Sequence, residues 1–360
     1  MKRALCLTVL LAALSAGAFA QSNLDSVIQP LNGDIAALMT SIGSDIAPQL
    51  LQATLAGDIV GEAAFAGDFP HGSVTLPAIG ADFGNGIATV LNDSSHVWNF
   101  VSPMPTLIQN AAGSSDAYKA TRQIFPYPNL SFGVGFGITQ GFEILASGIY
   151  IPQALTSPLF GSLSSGSTIS NVNFSATSIV VKLRKVLFYD RGGFPAMSLA
   201  LGGAYGKVDL GASVNLDQNI GGTENLNLVG PATFDTQVYG VGLEFAISKR
   251  LPVITPFANV GVWYRHAVVT SDINMNATIS DTSNSSLTPV STAISSNPTA
   301  TDDGVDARVG GGLEIRIFAV ILHLSASIDM ENPLLNIQSL SLTGIAANDL
   351  SLSAGLRFEF

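Results

Sequence analysis

The sequence predicts an all-β membrane protein: an antiparallel transmembrane β-barrel of about ten strands, with a helical amino-terminal plug or extension. Three observations carry this expectation. The chain is 47% hydrophobic but only 11% charged, against about 25% charge in ordinary soluble domains. Beyond Ala20 no apolar run approaches the roughly 20 residues of a spanning helix, despite a mean hydropathy of +0.40. Apolar and polar residues instead take turns over about 9–11 residues, the length of a tilted strand crossing the hydrocarbon layer. The soluble alternative is a large secreted β-sandwich. Its dry core would have to bury the motifs Asp306-x-Arg308 and Glu314-x-Arg316, at great cost.

Residues 1–20, "MKRALCLTVLLAALSAGAFA", read as a secretory signal peptide: two positive charges, an apolar run from Ala4 to Leu14, and a small-residue exit at Ala18-Phe19-Ala20. Cys6, the single cysteine, lies inside it. The mature chain therefore has no thiol, which excludes disulfides, zinc–cysteine sites and a cysteine nucleophile. Residues 21–70 change texture. Leu24, Val27, Ile28, Leu31, Ile35, Leu38, Met39, Ile42, Ile46 and Leu50 fall at helical spacing, with breaks near Pro30 and Pro48 and candidate caps at Asn32 and Ser44. Helix is expected from Asn23 to about Gly57, as a periplasmic extension or as a plug inside the barrel.

Residues 71–360 form the expected barrel. The first strand falls in Ser73–Leu91, where the alternation is ragged and Pro77 intrudes. Nine clearer strands follow, in "NLSFGVGFGIT", "GFEILASGIYI", "ATSIVVKLRKVLF", "FPAMSLALGGAYG", "DTQVYGVGLEFAI", "ITPFANVGVWYRHAV", "VDARVGGGLEIRI", "AVILHLSASIDM" and "LSLSAGLRFEF". An even number is the rule in bacterial single-chain barrels, so ten is expected, with eight or twelve as alternatives. The lumen face of two strands is small: Gly133, Gly135 and Gly137 in one, and Ser198, Ala200, Gly202 and Ala204 in another. Such faces leave room for an inserted segment.

Short turns are expected at Thr139–Gly141, Tyr189–Phe194, Lys249–Pro252 and Phe318–Ala319. Long linkers are expected at Leu91–Pro128, Pro152–Ser175, Lys207–Pro231, Thr270–Gly304 and Glu331–Asp349. Barrels keep short turns periplasmic and long loops outside, which places the linkers beyond the cell surface. The Ser-, Thr- and Asn-rich 270–304 linker reads as a solvated loop.

The face opposite the lipid carries Glu244, Arg265, Asp306, Arg308, Glu314, Arg316, His323, Asp329, Arg357 and Glu359. One reading is a salt-bridged filling that stabilises a narrow barrel. The other is a selective polar path. His266 falls on the lipid side near the outer end, and His71 and His96 fall in loops without spaced carboxylates. No nucleophile elbow, phosphate loop or metal-ligand spacing is legible, so the expectation is no enzyme, no metal and no cofactor. Losing Lys2 and Arg3 takes the net charge from −11 to −13, which argues against a nucleic-acid partner.

The stretch "PQLLQATLAGDIVGEAAFAGDFPHG", the "SKRLPVITPFANVGVWY" hairpin and the ending "LEIRIFAVILHLSASIDM…LSLSAGLRFEF" together resemble an uncharacterised family of outer-membrane barrels in diderm bacteria, including spirochaetes. The resemblance implies a helical amino-terminal segment ahead of about ten strands, an outer-membrane location and no assigned chemistry. A lesser likeness is to long-chain fatty-acid transporters, which also plug their lumen. Resemblance to outer-membrane barrels as a class further implies that Leu352, Leu356, Phe358 and Phe360 form the insertion signal read by the barrel-assembly machinery. Two functions follow as expectations: passive passage of a small solute through a plugged, narrow lumen, or a structural or surface-interaction barrel without transport.

Overall fold

The computed structural model describes residues 47, 50–52, 54, 55, 60–65, 71–84, 125–139, 141–151, 169–221, 224–281, 289–331 and 350–360. The expected signal peptide, the helical stretch 21–46 with its caps at Asn32 and Ser44, His96, and the linker segments 85–124, 152–168 and 332–349 lie outside the described residues.

Eleven strands succeed one another: β1 (Gly72–Gly84), β2 (Phe125–Thr139), β3 (Phe142–Ile151), β4 (Ile169–Phe188), β5 (Ala196–Gly221), β6 (Glu224–Ser248), β7 (Ile254–Asp281), β8 (Val290–Ser296), β9 (Thr299–Ile317), β10 (Val320–Glu331) and β11 (Leu350–Glu359). Each pairs antiparallel with its neighbour, and β11 returns to β1 through Ser73↔Glu359 to Asp82↔Ser351. β8 pairs with Ile273–Ile279 of β7, directly beyond the stretch of β7 that pairs with β9. The wall is thus a closed ring of ten strands, with β8 prolonging the β9 position. Closure removes the sheet edges, which lipid could not hydrogen-bond.

Alternation decides which face goes where. On β3, Glu143, Leu145, Ser147 and Ile149 are buried, while Phe142, Ile144 and Tyr150 are exposed. On β11, Leu352, Leu356 and Phe358 are exposed, as is Phe360 just beyond it, and Ser351 and Arg357 are buried. The outer surface is a belt of Val, Leu, Ile and Phe, and the buried set includes Glu143, Lys182, Arg184, Arg265, Glu314, His323 and Arg357. A water-soluble fold has the opposite polarity. This chain is a transmembrane β-barrel, and among the described residues no helix is long and apolar enough to cross a membrane.

Pro77 is accommodated rather than excluded. The register shifts between Thr75 and Ile79 against β11, and between Thr75 and Ala78 against β2. A bulge absorbs the residue that has no N–H to give the ladder.

Two expected linkers are strands instead. β5 and β6 stay paired out to Gly221↔Glu224, and β7 continues to Asp281 before β8 folds back. Exposed Asp272, Asn274 and Asn276 there meet water without loss of the ladder. Leu210, Ile273 and Met275 still supply apolar positions between the polar ones. A break at Pro298 separates β8 from β9, and its carbonyl accepts the Ser271 N–H at 3.1 Å.

All four expected short turns gather at one end. Gly141 and Gly192 turn with φ of 84° and 57°. Phe318 also has a positive φ, 57°, although it carries a side chain, and it is 95% exposed. Asp190 ties two turns together: Lys249 Nζ donates to Oδ1 at 2.5 Å and the Arg250 N–H to Oδ2 at 2.6 Å. Burial pushes this carboxyl up, but those two hydrogen bonds and the Lys249 and Arg250 charges prevail and hold it below its ordinary 3.8. The tie therefore stabilises the fold fully above that value and is lost as pH falls through the lower folded one. Asp190→Asn should lower the thermal midpoint slightly near neutral pH, and the gap from wild type should close as pH falls through the lowered folded range of the carboxyl. A gap of constant size across a pH series of melts would refute the tie.

Candidate functional site

The described amino-terminal residues lie among inward side chains. Residues 47, 50–52, 54 and 55 are helical, and Thr54 Oγ1 donates to the Leu50 carbonyl one turn back at 2.6 Å. Ala47, Leu50, Leu51 and Leu55 form one buried cluster with Val180, Val208, Val238 and Trp263 of the wall. The helix spacing that puts those four on one stripe is what lets them meet a single side of the barrel. Fully burying each leucine contributes about 1.5–3 kcal/mol. The same contact explains why β4–β7 carry apolar residues such as Val180, Val208, Val238 and Trp263 on the lumen face, beside the charged, glycine and small residues expected there.

Glycines make the approach possible. A Cβ on Gly240 would sit 2.8 Å from Leu51 Cδ1, and one on Gly206 2.8 Å from Thr54 Oγ1. Gly202 and Gly242 do the same for Trp263, at 2.7 and 2.5 Å.

Nearer the short-turn end, residues 61–65 are gripped from several strands. Gly61 N–H donates to Glu314 Oε1 at 2.9 Å, Ala63 N–H to Ser248 Oγ at 2.8 Å, and Phe65 N–H to Glu143 Oε1 at 3.1 Å. Arg184 Nη1 donates to the Glu62 carbonyl at 2.6 Å. The Glu62 carboxylate, 1% exposed, takes Arg250 Nη2 on Oε2 and Arg316 Nη2 on Oε1, each at 2.9 Å. Phe65 lies under two guanidinium groups, Arg184 at 4.9 Å and Arg357 at 5.8 Å from its ring centre.

The residues singled out from sequence fall into connected groups. Glu314 accepts from Arg357 Nη2 at 2.7 Å and from His323 Nδ1 at 3.2 Å. Glu359 lies 2.8 Å from Arg316 and 3.1 Å from Arg357. Toward the other end, Arg265 holds Asp306 at 3.0 Å and Asp302 at 2.8 Å. Between these groups Glu244 pairs with Lys182 at 2.7 Å, and Arg308 donates to Ser327 at 2.7 Å with Asp329 at 3.9 Å. Register makes several of these partners directly opposite, namely Glu314↔His323 and Arg308↔Asp329. Direct opposition is the arrangement in which a cross-strand pair interacts best.

Sequence reasoning missed Glu62, Glu143, Lys182, Arg184, Arg250 and Trp263. Two of them were legible as a pair, because Lys182 and Arg184 share one parity within "VVKLRKV" and Glu143 sits opposite Arg184. His71 is not without a carboxylate, as expected from its loop position. Its Nε2 lies 3.4 Å from Glu143, with its ring edge-on to Phe65 at 5.6 Å. His266 stays on the outer face, 2.8 Å from Asp303. Among the described residues no three His, Cys, Asp or Glu are placed to hold a metal ion.

Beside this segment, among side chains from β4, β6, β7, β9 and β10, a cavity of about 20 Å³ remains. Lys182, Glu244, Asn259, Arg308, His323 and Ser327 are among its walls. Leu55, Val60 and Phe257 also line it.

No protein-family model and no curated protein matches the chain. Solved structures with a similar outline include the outer membrane protease OmpT from Escherichia coli, at 7% identity over 82% of this chain and 98% of that one, with a TM-score of 0.40. A major outer membrane protein from Thermus thermophilus has 8% identity over 81% and 100%, with a TM-score of 0.29. The toluene transporter TodX from Pseudomonas putida has 9% identity over 90% and 97%, with a TM-score of 0.21. Likeness this distant assigns no activity.

Proposed function

We propose that this chain is an outer-membrane barrel for the passive passage of a small solute, with its amino-terminal segment as a plug that shifts to admit it. One observation supports this above the others: the segment packs on an apolar seam of β4–β7, and beside it a water-sized cavity of about 20 Å³ remains between Lys182, Glu244, Arg308 and His323. The lumen charges neutralise one another in pairs, and the reading assigns them no reaction. Deleting Asn23–Gly57 should raise single-channel conductance of the purified protein in a planar bilayer several-fold. Unchanged conductance would sink the plug.

The partners in this reading are outer-membrane lipid around the apolar belt, the barrel-assembly machinery at the last strand, and the solute. Phe360 closes the seam, its N–H donating to the Gly72 carbonyl at 3.1 Å and its carbonyl accepting the Gly72 N–H at 2.9 Å. Its side chain is free to be read from outside, as are those of Leu352, Leu356 and Phe358. Phe360→Ser should reduce assembled protein in outer-membrane fractions several-fold, and Ser353→Ala should not. Equal yields would remove the insertion signal.

A second reading rests on the long β5–β6 and β7–β8 hairpins, which run well past the length needed to cross lipid. With the long linkers outside the cell, they would offer a paired surface to neighbouring molecules. Trimming both hairpins without loss of conductance, but with loss of cell-surface binding, would favour it.

A further inference from the structure

We propose that the basket of arginines around Glu62 is a binding site for a small carboxylate solute, which the Glu62 side chain occupies while the barrel is closed. The proposal rests on the transport reading and names its solute class. Three guanidinium groups from three places in the wall converge on one carboxylate: Arg250 after β6, Arg316 on β9 and Arg357 on β11. Thr255 Oγ1 adds a fourth donor, 3.4 Å from Oε1. Both carboxylate oxygens are thus approached by planar, charged donors, which is the geometry that suits a carboxylate better than a spherical anion.

The donors exceed what Glu62 can satisfy. Nε of Arg250, of Arg316 and of Arg357 is buried and has no hydrogen-bond partner among the described residues. Arg250, Arg316 and Arg357 are balanced locally by Glu62, Glu314 and Glu359. Withdrawing the segment that bears Glu62 removes one negative charge and leaves a net positive hole shaped around two oxygens. Leaving such charges buried and unpaired is costly, so the open barrel favours a replacement anion at that spot. The site is reachable, because Arg357 forms a fully buried floor while Arg250 and Arg316 remain 35% and 24% exposed. Glu62 is therefore an internal competitor: a carboxylate solute that takes its place lowers the cost of releasing the plug.

The test uses acetate as the probe on the full mature barrel in detergent. Glu62→Gly empties the basket, and acetate at about 100 mM should raise its thermal midpoint by roughly 3 °C over chloride at equal ionic strength, saturably. Wild type and Glu62→Gln, whose carboxylate or amide still fills the basket, should not respond. Equal shifts in chloride, or in all three proteins, would overturn the proposal. The full-length wild-type barrel in a planar bilayer gives a second readout that does not need Glu62→Gly to fold. Reversal potentials showing acetate more permeant than chloride support the site, and a ratio at or below one overturns it. Absence of any current would defeat the transport reading instead, and the acetate melts would still decide the site.

Discussion

Arg357→Ala should cost the barrel about 3–5 kcal/mol, because it strands buried carboxylates rather than deleting one contact. Arg357 is 0% exposed and faces Glu314 at 2.7 Å, Glu359 at 3.1 Å and Glu62 at 3.8 Å. Glu314 itself is 1% exposed. It keeps His323 and the Gly61 N–H as partners but loses its strongest cation. Arg357→Lys should recover part of the loss, since charge returns without the two-armed fork. Urea unfolding of the refolded barrel, followed by circular dichroism, measures the difference. The double variant Arg357→Met with Glu314→Leu should be less destabilised than Arg357→Met alone, because it leaves fewer unpaired charges. A single variant as stable as wild type would show that the cluster does not form.

Trp263→Ala should cost about 3–5 kcal/mol through the cavity it opens. The indole is 1% exposed and occupies the space that Gly202 and Gly242 leave on neighbouring strands. Lys182 Nζ lies over its ring at 5.7 Å. Leu51 belongs to the same buried cluster. Leu51→Ala and Trp263→Ala should therefore couple, by about 0.5–3 kcal/mol in a double-mutant cycle. Strict additivity would place the amino-terminal segment elsewhere.

The wall was legible because its physics repeats: each strand solves the same problem with period two, so errors in one are outvoted by the rest. Pro77 shows the limit, since it weakened the reading of β1 while a bulge could absorb it. The extents of β5–β7 were harder, because polar composition reports solvent contact and a hydrogen-bonded ladder in water has no distinct composition. Lumen-facing residues such as Glu314, Arg316 and Arg357 announced themselves by parity. Glu62 did not, because its partners sit more than half the chain away in sequence and its own segment carries no strand period. Trp263 was hidden for the opposite reason. Its neighbours Val262 and Tyr264 face outward and carry the same apolar signal.

The route of the amino-terminal segment also bears on the order of events during biogenesis. The segment passes Gly206 and Gly240, descends to Ser248 and Glu314, and then becomes β1, whose partner across the seam is the last strand made. That pairing joins the two ends of the chain, and contacts so distant in sequence are the slowest to form. If the ring zipped up first, the segment would have to be drawn like a thread through an eye already closed. If it settles first, the wall can wrap around it as around a mandrel, and Arg357 arrives with β11 to find Glu62 waiting. The final stitch and the final charge pair are then one event, and the ring shuts upon its own beginning.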